Sequence, residues 1–424
     1  MKKILCLLLA ALTVLSCVGC GNKSETGKVE LEIVISQYSS YTQKWWEAFE
    51  QSFEAENNDI DLKIEVVSWD DLYTVVNTRI STNRAPDILN IDTFADYVAD
   101  DLLMSAEEYT SPALQANIHP SFWEASEVDG TVWALPILAS VRPLFSNMKL
   151  LNEAGITAPP ATWDEVMAAS KAVYDTFGGS VVPWALDIST DEGQAAFSYY
   201  SWNNGGDFLD ENGNWVLNSE ENIAALNFIK TLFDSGYCNA NPYNDTMYPL
   251  QDAFAAGSLA MIIAPCNLYD FAGDIDFEVS TIPTNGDREP VTMGVCDRLL
   301  VFKEEKGDQE ARTAAITKFF DYFYACEKYS EYMVYEGFLP VTVDASALLS
   351  ENAEKFTKGS NGQPGESEYF AMFCGLLESC RFYPAGKTEW IEVKQGVIDV
   401  EQRMCEGEDA AALINELQAK LTDK

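Results

Sequence analysis

Arg142 stands in the middle of "VWALPILASVRPLFSNMKLL", Val132–Leu151, a long apolar run that also carries Pro136 and Pro143. A strand buried on both faces should not hold an arginine, and a helix interior should not hold these prolines. The run reads better as two strands with a turn between them, the guanidinium lying in the turn. Its five fixed donors suit hydroxyls or a carboxylate. Polar groups also follow other short apolar runs. Gln37 and Tyr38 follow "KVELEIVIS", Trp69 and Asp70 close "IDLKIEVVSW", and Asp92 ends "APDILNID". Provision for catalysis is thin. His119, in "NIHPSF", is the only histidine, so a histidine-based triad has one candidate base and no motif around it. The 67 acidic residues would allow a glycosidase-type carboxylate pair, yet no hydrolase motif accompanies them. The cysteines are too widely spaced for a zinc site. These residues point to non-covalent recognition, with no cofactor.

The elements that must position them alternate. "KVELEIVIS" and "IDLKIEVVSW" read as strands, as does "APDILNID". Between the first two, Trp45, Trp46, Phe49 and Phe53 recur at helical spacing, and "DDLYTVVNTRISTN" supplies the next helix. Strand, helix, strand, helix, strand predicts a parallel sheet with helices on both faces. Ligands of such sheets bind outside the carboxyl ends of the strands, where Gln37, Tyr38 and Asp92 would stand. Further on, Thr162 and Glu165 form a capping-box pattern. "SEENIAALNFIKTLFDSG" reads as an amphipathic helix with a serine cap and a glycine stop, and the tail is mostly helical.

The amino terminus bears on compartment. Lys2 and Lys3 precede an apolar run from Ile4 to Leu15, the length of a signal-peptide core and too short to span a bilayer. "VLSCVGCGNK" then resembles a bacterial lipobox. Cys20, which opens a polar tether, is the expected lipidated residue, with Cys17 the alternative. A lipid there anchors the chain to a membrane surface without spanning it. The net charge of −40 argues against nucleic acid and anionic lipid surfaces as partners. The 424 residues exceed one ordinary core and suggest two domains. Seven cysteines remain beyond Cys20, an odd number that cannot all pair; they read as small buried hydrophobes.

Several blocks then fall into a familiar order: the lipobox, "DGTVWALPILASVRPLFSNMKLLNEAGITAPPATWDEVMAAS", "WNNGGDFLDENGNWVLNSEENIAALNFIKTLF", "AFAAGSLAMIIAP", "STIPTNGD" and "GFLPV". Over nearly the whole mature chain the sequence resembles the family 1 extracellular solute-binding proteins of ABC importers, most of which bind sugars or oligosaccharides. The resemblance implies an α/β, two-lobed periplasmic-binding-protein-like fold. Each lobe would be a mostly parallel sheet flanked by helices, joined by crossover strands, with ligand in the cleft. Crossings would fall at "WALPILAS", near "EVSTIP" and near "GFLPV". Residues 1–19 would be signal peptide and 20–28 the tether. Lobe one would be 29–137 plus 281–338, and lobe two 138–280 plus 339–424. Pro136, Pro283 and Pro340 each sit in or just after an apolar run, which fits strand exits. A monomer delivering ligand to membrane permease subunits is implied as well.

Sugars present hydroxyls that need donors and acceptors, and C–H faces that stack on rings. The resemblance carries ligand contact onto Ser140 and Arg142, after the "LP" of the first crossing. It does the same for Tyr199, Trp202 and Asn203 before Gly205-Gly206, for Asp297 after "MG", and for Trp390. After "AMIIAP" many sugar binders carry a tryptophan; this chain has Cys266, Asn267, Leu268 and Tyr269, so Asn267 or Tyr269 is the candidate there. An inter-lobe salt bridge is the other reading of Arg142. Asp92 with Asp297 would suit a cationic ligand instead, and the adjacent Tyr199 and Tyr200 a ferric ion.

Overall fold

The computed structural model describes residues 27–190, 192–273, 275–304, 307–351, 368–378 and 380–422. The expected signal peptide, Cys17, Cys20 and the tether up to residue 26 lie outside the described residues. Among those described, no helix is long and apolar enough to cross a membrane.

In chain order the strands are β1 (Val29–Ser36), β2 (Ile60–Val67), β3 (Ile88–Ile91), β4 (Glu127–Val128), β5 (Thr131–Val132), β6 (Ala134–Val141), β7 (Leu144–Asn147), β8 (Val182–Trp184), β9 (Leu259–Ile263), β10 (Phe277–Ser280) and β11 (Gly294–Val301). The longer helices are α1 (Thr42–Glu56), α2 (Trp69–Ser81), α3 (Trp163–Phe177), α4 (Gly193–Trp202), α5 (Glu220–Asp234), α6 (Met247–Ala255), α7 (Gln309–Phe323), α8 (Cys326–Glu336), α9 (Glu368–Glu378), α10 (Trp390–Cys405) and α11 (Ala410–Thr422).

Two sheets result. The first has the order β2-β1-β3-β11-β6, the second β10-β7-β9-β8, and β4 with β5 is a small hairpin. In the first sheet β1 runs parallel to β2 and β3, the pattern expected of strand–helix–strand units. β11 pairs antiparallel with β3 and β6, because β6 leaves for the second sheet and β11 returns from it. The second sheet is likewise mixed, with β8 parallel to β9 and the other pairs antiparallel.

Local signals hold. Trp45, Trp46, Phe49 and Phe53 are buried on one face of α1, against Phe319 and Phe323 of α7 and Tyr332 of α8. The Thr162–Glu165 capping box opens α3. There Trp163 stacks on Phe228 of α5, centroids 4.3 Å apart. Ser219 caps α5 through the Asn222 amide at 3.2 Å.

The chain passes between the sheets along three adjacent segments. β6 remains in the first sheet to Val141, so the first passage is Arg142-Pro143 rather than a point within "WALPILAS". The Arg142 amide donates to Met293 O at 3.0 Å, and Thr292 Oγ1 donates to Arg142 O at 2.8 Å. "EVSTIP" stays with the second sheet, where β10 pairs with β7 and Thr284 bridges Thr162; the return comes at Thr292–Gly294. "GFLPV" stays with the first sheet, since Leu339 bridges Ala139 and the His119 amide donates to Val341 O. The last passage is at Arg381, whose amide donates to Thr292 O and whose carbonyl accepts from Gly294 N. Prolines mark strand exits, but not which exits leave the sheet. Gly294 is required here: a Cβ on it would fall 2.3 Å from Cys380 Sγ.

Candidate functional site

A cavity of about 430 Å³ lies between the two sheets. The strand ends of the first sheet supply Tyr38, Asp92, Ser140 and Asp297, and α2 adds Trp69 and Tyr73. From the second sheet and its helices come Glu192 and Gln194 at the start of α4, Met247 and Gln251 on α6, Asn267 after β9, and Lys394 on α10. Arg142, Phe382 and Tyr383, on or beside the passages between sheets, complete the wall.

On the first-sheet side the polar groups hold one another. The Tyr38 hydroxyl donates to Asn90 Oδ1 at 3.0 Å, and its ring lies edge-on to Trp69 and Phe338. Asp92 accepts from the Tyr73 hydroxyl and from Lys394 Nζ at 3.3 Å. Asp297 is buried beside Tyr38. Burial, then the Asp92 charge, pushes its carboxyl up to about 7, against the Tyr38 hydrogen bond and the charges of Arg142 and Arg298. Arg298 is spent on structure: it donates to Ser126 Oγ and to the carbonyls of Asp92, Cys296 and Ala125.

The second-sheet side differs. Arg142 Nη2 donates to Glu192 Oε1 at 2.6 Å, both side chains being largely buried. Burial disfavours the charge on Arg142, but Glu192 and weaker neighbours outweigh it and raise the pKa. Among the described residues, Arg142 Nε, Glu192 Oε2 and Asn267 Oδ1 are buried without a hydrogen-bond partner, while the Tyr199 hydroxyl lies beside Arg142 and the Tyr383 hydroxyl beside Gln194. Buried polar atoms are nearly always bonded, and each exception costs about 1–3 kcal/mol. A cluster of such atoms around one cavity is a set of donors and acceptors arranged for a ligand.

The residues selected from sequence divide accordingly. Tyr38, Asp92, Ser140, Arg142, Asn267 and Asp297 line the cavity. Gln37 lines an adjoining groove. Tyr199 lies behind the wall, in a small void shared with Glu192, its hydroxyl beside the Arg142 guanidinium. Trp202, Asn203 and Trp390 do not line the cavity. The Trp202 indole donates to Asp207 and packs on Phe208. Trp390 is 1% exposed and backs Tyr383, centroids 4.9 Å apart. Asn203 clamps the returning chain, with both halves of its amide bonded to Val291 at 2.8 Å. Two tryptophans that read as sugar platforms thus support the wall from behind, and Tyr383, in an irregular segment, is the wall. Tyr73, Gln194, Glu192 and Lys394 were also missed. Lys394 had a signal, a cation within the apolar stripe Trp390, Val393, Val397.

The rival readings lose their geometry. Asp92 already carries Lys394, which weakens a cationic ligand. Tyr200 OH accepts from the Trp184 indole at 2.9 Å and so does not converge with Tyr199 on a ferric ion. Among the described residues, no group of three His, Cys, Asp or Glu side chains is arranged to hold a metal.

Comparison with known proteins agrees with this architecture. The family described as bacterial extracellular solute-binding protein matches residues 37–288. A binding protein of Brucella abortus (strain 2308) is 28% identical over 385 residues, 89% of this chain and 87% of that one. The arabinooligosaccharide-binding protein of Halalkalibacterium halodurans is 26% identical over 178 residues, 41% of this chain and 39% of that one. Among solved structures, the maltose-bound MalE3 of T. maritima superposes with a TM-score of 0.79 at 16% identity, covering 93% of this chain and 99% of that chain. The chain belongs to the bacterial extracellular solute-binding proteins, a family of extracytoplasmic binding proteins rather than enzymes, and has their two-lobed α/β fold.

Proposed function

We propose that this solute-binding protein captures a neutral mono- or oligosaccharide in the cavity between its sheets and delivers it to the permease of an ABC importer. The observation that carries the reading is a wall of largely buried donors and acceptors, Arg142, Glu192, Gln194 and Asn267, facing aromatic surface on the other side of the cavity. Sugar hydroxyls need both kinds of partner, and sugar C–H faces need rings. Among the described residues the cavity cations are engaged, Arg142 with Glu192, Lys394 with Asp92 and Arg298 with backbone carbonyls, so no free cation is offered to an acidic ligand; Asp70 and Asp297 add acceptors for hydroxyls. The named ligands of the relatives, arabinooligosaccharide and maltose, support the same class.

On the three passages we assign the described residues of 29–141 and 294–380 to one lobe and those of 143–292 and 382–422 to the other. Ligand bridging them would favour the closed form and shift the population toward it. A lipid on Cys20, a monomeric state and recognition of the closed form by permease subunits complete the reading. It requires no cofactor.

The test is thermal unfolding against a panel of mono- and oligosaccharides, with calorimetry for each hit. A true ligand at a hundredfold its Kd stabilises the protein by about 2.7 kcal/mol. Arg142→Ala should abolish the response. A panel in which no sugar raises the melting temperature would sink the sugar reading.

A further inference from the structure

The cavity does not end at Tyr248. Beyond that side chain lies a second space of about 360 Å³. The two spaces share Tyr38, Trp69, Asp70, Tyr248 and Gln251 as walls. Tyr248 is the rung between them. It stands in the first turn of α6, and its hydroxyl reaches across to donate to Gln37 O at 2.8 Å, with Tyr38 O at 3.1 Å. Those carbonyls begin the loop after β1, so the rung joins the second-sheet side to the first. Its side chain is 39% exposed, so a ligand in either space can reach the ring.

We propose that Tyr248 sets the length of ligand this protein accepts, and that the groove beyond it is a second subsite for further units of the same hydroxyl-rich chain. This rests on the sugar reading of the main cavity. The groove has matching chemistry. Ser39, Ser40 and Ser68 line it with hydroxyls, Asp70 and Asp252 with acceptors, and Phe271 with a ring face. No Lys, Arg or His of the described residues lines it, so an anionic sugar is disfavoured there. Trp69 continues from one space into the other, giving consecutive units a shared ring. With the rung in place, short sugars fill the main cavity. A longer chain must first break the Tyr248 hydrogen bond, which weakens its binding by about tenfold.

Two measurements test this. Amide hydrogen exchange of the ligand-free protein over Gln37 to Tyr41 reads the rung itself. Tyr248→Phe should speed exchange there by about tenfold; an unchanged rate overturns the partition without any sugar being needed. Calorimetry with maltose, maltotriose and maltohexaose, and with arabinobiose and arabinohexaose, reads length. Tyr248→Ala should raise the long-to-short affinity ratio by about tenfold, and adding Ser40→Trp, which fills the groove, should remove that gain. A wild-type protein that binds these sugars, with the same ratio in Tyr248→Ala, overturns the inference alone. If no sugar of either series binds the wild type, the sugar reading falls and the length role falls with it.

Discussion

Asp297 shows how a single buried carboxyl ties recognition to pH. Its carboxyl is pushed from its ordinary 3.8 to about 7, first by burial and then by Asp92. A fold that raises an acid's pKa favours the protonated form. That contribution is fully present below about pH 4 and is lost as pH rises through about 7, some 4 kcal/mol in all. Glu336, raised to about 7 by burial, with the neighbouring Ser39 and Thr42 opposing the rise, adds a second contribution of the same sign. Denaturant midpoints should therefore fall between about pH 4 and pH 7. Glu401, raised well above its ordinary value by burial and then by Asp187, acts in the same sense, so Asp297→Asn and Glu336→Gln should each reduce that slope without abolishing it; equal slopes in wild type and Asp297→Asn would refute the assignment. At this scale the polar residues that end apolar strands, Tyr38, Asp92 and Arg142, line the candidate cavity, and Trp202 and Trp390 stand behind its wall. Helical spacing identifies a buried face but not whether ligand or another helix covers it. Tyr383 left no periodic trace because it lies in no regular element.

The elements matter most where they meet. Three segments, at Arg142, Thr292–Gly294 and Arg381, lie side by side and hydrogen-bond to one another. All motion between the sheets must pass through them. Asn203 fixes the middle segment by bonding both polar atoms of Val291, and Gly294 lets Arg381 and Cys380 approach. Asn203→Ala strands a backbone donor and acceptor, at a cost of about 2 kcal/mol. Gly294→Val forces the segments apart and should cost about 2 kcal/mol or more. Both should lower the thermal midpoint and weaken ligand binding together. Either variant with a native midpoint and reduced affinity would instead make its residue a ligand contact. The strands and helices that feed the hinge were legible, because alternation and caps are local. The hinge itself was not. Proline announced strand exits at Pro136, Pro283 and Pro340, but the choice of sheet is made by pairing partners more than a hundred residues away, which local pattern does not encode.

At the scale of the whole molecule, closure is a balance between the hinge and the contacts that span the cleft. Tyr248 supplies one such contact. Cys266 supplies another, its amide donating to Val141 O at 3.0 Å, and Lys394 of α10 a further one, its Nζ lying 3.3 Å from Asp92 and 5.1 Å from the centre of the Tyr73 ring. Both ends of this pair are largely buried, so it escapes most salt screening. Removing one partner leaves a buried charge unpaired, whereas removing both does not. Lys394→Met and Asp92→Asn should each expand the protein in small-angle scattering and weaken the best-bound sugar. The double variant should lose less than the sum of the two, by about 1–3 kcal/mol of coupling. High salt should change the wild-type radius little, since the pair is shielded from counterions. Additive losses, or unchanged radii in both single variants, would take Lys394 and Asp92 out of the closing mechanism and leave ligand, Tyr248 and Cys266 to hold the lobes together.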